Sequence, residues 1–240
     1  MEEIVEIVAY TAAAGACIPL GGFIAKIERI RPQWLEKEFR HFVIAFGGGI
    51  LLAAVALVLL PEGVDYVQQP YFCVLYFLLG GVLFFLMERA LGLRRRDSPQ
   101  FSATLLDYVP ESIALGGVFA VGSGAAPLLA IFIGLQNLPE GFNSYRELMS
   151  VKGARSRRVL VLMCLLVPIG PVMGLLGWAF ISVHTHFLGA LMLVASGGIL
   201  YLIFQDIAPQ SHLRRHWFPP LGAVSGFAVG LLGKLIISGT

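Results

Sequence analysis

The chain has 240 residues, 57% of them hydrophobic and only 13% charged, with a mean hydropathy of +0.80 and a formal net charge of +2. A water-soluble domain of this length needs far more polar surface, so a soluble enzyme is excluded, and the lack of Pro/Ser/Glu-rich tracts excludes disorder. The apolar residues run continuously instead of alternating, which argues against an outer-membrane barrel and for an all-α integral membrane protein.

The chain opens on Glu2, Glu3 and Glu6. A cleaved signal peptide wants a basic start, so the first apolar segment is expected to stay as a helix near 5–25. Further charge-free stretches predict helices near 42–61 and 69–91. Residues 112–139 carry no charge and are too long for one span; Gly122-Ser123-Gly124-Ala125-Ala126-Pro127 breaks them into helices near 101–121 and 126–146. Residues 159–205 likewise need two spans of roughly 20 residues. They are expected near 158–180 and 187–207, and a last helix near 219–238 closes a single transmembrane domain over 1–240. Cys17, Cys73 and Cys164 are far apart, with no CxxC pair, so neither a disulfide framework nor a zinc ribbon is expected. Glycine clusters at Gly47-Gly48-Gly49, Gly80-Gly81, Gly170, Gly174, Gly197-Gly198, Gly222, Gly226 and Gly230 allow close approach between helices.

Eight spans put both termini on one side. Sixteen of the 17 basic residues fall in the loops after the first, third, fifth and seventh helices; Lys234 is the exception. The positive-inside rule places those loops in the cytoplasm and both termini outside it.

Asp107, Glu111, Glu140 and Asp206 sit where lipid makes a carboxylate costly, and such residues face a polar pathway or a bound ion. The fourth helix reads Asp107-Tyr108-Val109-Pro110-Glu111-Ser112 and the fifth Gln136-Asn137-Leu138-Pro139-Glu140-Gly141. Each has an oxygen-bearing residue, then proline at +3 and glutamate at +4. Positions i and i+4 share a helix face, so Asp107 points with Glu111 and Gln136 with Glu140. Each proline lacks the N–H that would serve the carbonyl four residues back, at Leu106 and Leu135. Freed carbonyls are tolerated in a membrane where they line a cavity or meet an ion. With the two helices antiparallel, Asp107 and Glu140 share a level one to two turns from the cytoplasmic ends, at ~1.5 Å per residue. Glu111 and Gln136 share a deeper one. Three carboxylates and an amide then form one cluster, which low dielectric does not allow without cations or protons.

These paired motifs resemble the ZIP (Zrt/Irt-like) family of divalent metal transporters. There the fourth helix carries a His-Asn-x-Pro-Glu-Gly pattern and the fifth a His-or-Gln, Asn-or-Asp, Pro-Glu pattern. The resemblance is specific mainly in residues 105–142, with a weaker match at Gln205-Asp206-Ile207-Ala208-Pro209 in the seventh helix. It implies an eight-helix ZIP-like bundle that is not an enzyme. The implied metal-binding residues are Asp107, Glu111, Gln136, Asn137, Glu140 and Asp206. The implied substrate is a divalent ion: zinc, manganese or iron. The chain departs from the pattern where Asp107 stands for histidine and Tyr108 for asparagine. The sixth helix has no carboxylate, and Gly92–Gln100 no histidine. A single site of Asp107, Glu111, Gln136 and Glu140 is therefore expected, with Tyr108 filling the space of a second ion and bonding Asp107 or Glu140. All-oxygen ligands suit harder ions.

The lesser candidates are His184 and His186 on an outer turn, His212 and His216 near the inner face, Glu62 and Asp65 as a solvated rim where Pro61 ends the second helix, and His41 and Glu88 snorkelling at helix ends. The expected partners are divalent cations and membrane lipids, with no nucleic acid and with a homodimer left open. The expected location is a bacterial inner (plasma) membrane. The alternative reading is a transport-inactive ZIP-like protein serving as metal sensor or partner subunit. No GxSxG or HExxH supports an intramembrane hydrolase.

Overall fold

The computed structural model describes residues 2–28, 33–91, 99–181, 185–211 and 218–238. Among these residues the chain is helical almost throughout and contains no strand. The helices are α1 (Glu2–Ile27), α2 (Gln33–Ala54), α3 (Leu60–Val67), α4 (Pro70–Leu91), α5 (Pro99–Ala120), α6 (Ala126–Ser150), α7 (Ser156–Cys164), α8 (Ile169–Ile181), α9 (Thr185–Leu202), α10 (Ala208–Gln210) and α11 (Pro219–Ser238). Prolines open α4, α5 and α11, where the missing N–H has no partner to lose. The turn between α5 and α6 holds Gly122 at φ +65°, a left-handed conformation that glycine adopts without strain.

Three breaks differ from the sequence expectation. The second helix does not stop at Pro61. A π-helical turn over Val55–Leu59 carries it into α3, and Gln68, at φ 60°, ends it. Within that turn the Leu60 N–H reaches back to the Val55 carbonyl, so the extra residue is absorbed just before the proline, which then sits in the first turn of α3. A second π-helical turn, Ile203–Ile207, joins α9 to α10 in the same way ahead of Pro209. The expected sixth helix is instead two, because Pro168 has no N–H to continue α7. Tighter bonds from Leu166 to Met163, Val167 to Cys164 and Ile169 to Leu166 turn the chain into α8.

Six stretches are long and apolar enough to cross a membrane: Glu2–Ile27, Glu38–Val67, Pro70–Ala90, Ser156–Phe180, Thr185–Gln210 and Pro219–Ile237. The two long helices left out, α5 and α6, are the ones that carry the paired motifs. They lie inside the bundle: α6 packs against α1, α2 and α5, and α5 against α6 and α8. The outer helices turn Leu75, Leu78, Val82, Phe180, Val224 and Ile236 outwards.

Four helix pairs make the closest approaches, each through a glycine from either side. Gly21 and Gly141 join α1 to α6, Gly116 and Gly177 join α5 to α8, Gly80 and Gly197 join α4 to α9, and Gly49 and Gly226 join α2 to α11. At each of them an added Cβ would overlap a backbone atom of the facing helix. The pairing maps onto itself when the α1, α2–α3 and α4 set is exchanged for the α7–α8, α9–α10 and α11 set and α5 for α6. The two π-helical turns exchange as well, which is the pattern of an internal repeat.

Gly141→Ala places its Cβ against the Ile18 carbonyl and should destabilise the protein by about 1–3 kcal/mol. Gly124→Ala, with open space around it, should be neutral. Thermal unfolding of the two purified variants checks this; equal melting temperatures would refute the close packing of α1 on α6.

Candidate metal centre

The centre is built from α5 and α6, each kept helical through an internal proline, Pro110 or Pro139. Asp107, Glu111, Gln136, Asn137 and Glu140 are all buried. The Gln136 amide donates to Glu111 Oε1, tying the two motifs together at the deeper level. At the other level, nearer the start of α5 and the end of α6, Asp107 lies within electrostatic reach of the Glu140, Glu111 and Asp206 carboxylates. The Thr104 hydroxyl stands beside Glu140 and lies 3.3 Å from the Ser144 hydroxyl. Asp206 arrives from a third direction, on the π-helical turn between α9 and α10, and is half-buried.

Five buried oxygens here have no hydrogen-bond partner: Asp107 Oδ1, Glu111 Oε2, Gln136 Oε1, Glu140 Oε2 and Asn143 Oδ1. A buried polar atom left unpaired costs about 1–3 kcal/mol, and more when charged. All five lie on α5 and α6, and each such group in a native core calls for a physical reason. All are oxygens and none can donate while the carboxylates are ionised, so the missing partner is a donor or a cation. Among the described residues, no three His, Cys, Asp or Glu side chains stand close enough to hold one metal ion. The carboxylates are spread over two levels about one helical turn (~5.4 Å) apart, Glu111 on one and Asp107 with Glu140 on the other.

Asn137 has its amide committed elsewhere. Its Nδ2 donates to the Ala14 carbonyl at 2.9 Å, binding α6 to α1. Tyr108 does not bond to Asp107 or Glu140. Its hydroxyl donates to the Thr11 carbonyl at 3.0 Å, and its ring end lies where a side chain at Gly15 or Gly170 would go. The absence of side chains at those two glycines makes this room.

Glu88 does not snorkel: it is buried and accepts hydrogen bonds from Tyr201 and, at 3.1 Å, from Gln205. Gln205 thus reaches towards α4, while its neighbour Asp206 acts on Asp107. Glu62 stays on a helix and accepts from Ser123 at 3.3 Å. The His186 ring packs edge-on against Tyr76. His184, His212 and His216 lie outside the described residues.

The motif reading missed Asn143, Thr104 and Ser144, which are buried beside the cluster. Helical spacing was the available signal: Asn143 follows Glu140 by three residues, Ser144 follows it by four, and Thr104 precedes Asp107 by three. Compared with protein-family models and with curated proteins, the chain finds no match.

Asn137→Ala should cost about 1–3 kcal/mol, because it leaves the buried Ala14 carbonyl without its donor. Unfolding of the purified variant measures this; wild-type stability would mean that the tie to α1 carries no energy.

Proposed function

We propose that the chain conducts divalent cations across a membrane through the cluster between α5 and α6, as a divergent member of the ZIP family. The observation that carries this reading is the group of five unpartnered buried oxygens on two proline-containing helices inside an apolar bundle. A cation supplies the attraction that repays their burial. On this reading the two levels draw together around the ion, which takes Asp107, Glu111, Gln136 and Glu140 as ligands, with Asp206 as a carboxylate at the side. The chain makes eight spans, α5 and α6 among them, shielded from lipid by the others. The basic loops face the cytoplasm and both termini lie outside it, in a bacterial inner membrane. Oxygen donors without imidazole favour a hard ion such as manganese over zinc.

Tyr108 favours a second reading. Its hydroxyl fastens α5 to the Thr11 carbonyl of α1, next to the cluster, and a helix held this way moves less easily. On that reading the chain binds the ion without passing it, as a sensor or partner subunit. Uptake of Mn²⁺, Fe²⁺ and Zn²⁺ into proteoliposomes separates the two. Uptake supports transport, binding without uptake supports the sensor, and absence of binding sinks both.

Added Mn²⁺ should raise the melting temperature of the wild type, with about 2.7 kcal/mol of stabilisation at a hundredfold excess over Kd. Glu111→Ala and Glu140→Ala should each lose that stabilisation; full retention in both would put the site elsewhere. Asp107→His should move relative affinity towards Zn²⁺ and Cd²⁺ by about tenfold, because imidazole suits softer ions. Unchanged ratios in competition binding would mean that Asp107 does not touch the ion.

A further inference from the structure

A small cleft lies beside the cluster. Its walls come from Glu140, Asn143 and Pro139 of α6, Gly47 and Gly48 of α2, and Ile207 of the π-helical turn. Its free space of about 10 Å³ matches a single water-sized sphere. A side chain at Gly47 would meet Pro139 and one at Gly48 would meet Ile207, so the two glycines keep the cleft from closing.

Asn143 is 3% exposed. Its Nδ2 donates to the Pro139 carbonyl at 2.9 Å. A carbonyl can only accept, so this bond fixes which end of the amide faces the backbone and turns Oδ1 away from it. Asn143 Oδ1 and Glu140 Oε2 are both without a partner. On the facing side of Glu140, the buried Thr104 hydroxyl acts on its carboxylate and lies 3.3 Å from the Ser144 hydroxyl. Glu140 therefore stands between an amide oxygen on one side and two hydroxyls on the other, all three from residues about one turn nearer the basic loops than Asp107 and Glu140. A hard divalent cation accepts this donor set, and weak neutral donors release it readily.

We propose that Asn143 and Glu140 form a second station for the same cation, between the main cluster and the cytoplasmic face, with Thr104 positioning Glu140. The proposal rests on the transport reading and its orientation. Glu140 belongs to both stations, so an ion moves between them by exchanging Asp107, Glu111 and Gln136 for Asn143 while one carboxylate stays bound. Asn143 thus governs passage more than capture.

The test uses the full chain and Mn²⁺, with equilibrium binding in detergent and uptake in proteoliposomes on the same preparations. Asn143→Leu removes the ligand oxygen at similar volume. It should slow uptake about tenfold, the equivalent of one lost hydrogen-bond-sized interaction, while Kd changes less than about twofold. Asn143→Asp separates a ligand from a structural role. Aspartate keeps the oxygen but cannot donate to the Pro139 carbonyl, so it should restore uptake. A structural amide would leave aspartate as impaired as leucine and would overturn the proposal. If Asn143→Leu does not fold, Thr104→Val and Asn143→Asp carry the test, with slowed uptake expected of the first alone. Wild-type uptake in Asn143→Leu would mean that the cleft holds only water. Failure of the wild type to take up any ion overturns the transport reading, which is a different result from transport that ignores Asn143.

Discussion

Buried carboxylates that the protein's own donors satisfy only in part are the constraint on which the rest of this bundle depends. Asp107, Glu111 and Glu140 are buried on two adjacent helices, and the charges acting on Asp107 are all of its own sign. The chain relieves part of this strain itself, through Gln136 on Glu111 and Thr104 on Glu140. What remains is a set of acceptors aimed inwards with nothing to accept. Such a centre keeps lipid out only if less costly helices surround it. The apolar stretches in α1, α2–α3, α7–α8, α9–α10 and α11 provide that surround.

Close packing is what makes the surround effective. Each of the four glycine-matched pairs brings backbone to backbone, and two of them grip the motif helices from behind: α1 on α6, and α8 on α5. Polar ties follow the same lines. Asn137 reaches Ala14 on α1, and Tyr108 reaches Thr11 on the same helix. Helix α1 therefore holds both motif helices through its backbone carbonyls, leaving their carboxylates for the interior. Dispersion contacts between backbones replace the hydrophobic drive that lipid does not provide.

Much of this was legible in the sequence. Charge-free stretches gave the helices, the Gly122–Pro127 segment gave the turn, and counting along two antiparallel helices set Gln136 level with Glu111. Local rules failed where tertiary context outweighs them. Proline at 61 reads as a stop, yet a π-helical turn accommodates it, and the helix packs on both sides of it, through Val58 and Leu59 before and Gly63 and Val67 after. Conversely, Pro168 does break a helix that the uncharged run over 159–180 reads as continuous. Asn137 and Tyr108 look like ligands because they adjoin ligands. Neighbours in a helix sequence point about 100° apart, however, and theirs is the direction of α1. Glu88 read as a snorkelling residue at a helix end because its partners, Tyr201 and Gln205, lie more than a hundred residues away.

The two π-helical turns have a mechanical side. Each is a helix holding one residue too many, the backbone equivalent of a dislocation in a crystal. A dislocation moves without melting the lattice: passing it along by a residue exchanges one hydrogen bond for another and turns the segment it crosses by about 100°. One of these defects carries Asp206, and the other lies in the rod that ends at Glu62, Asp65 and Val67. Sliding either one re-aims carboxylates while the helix remains whole. The bundle thus contains two built-in swivels, one in each half of its repeat.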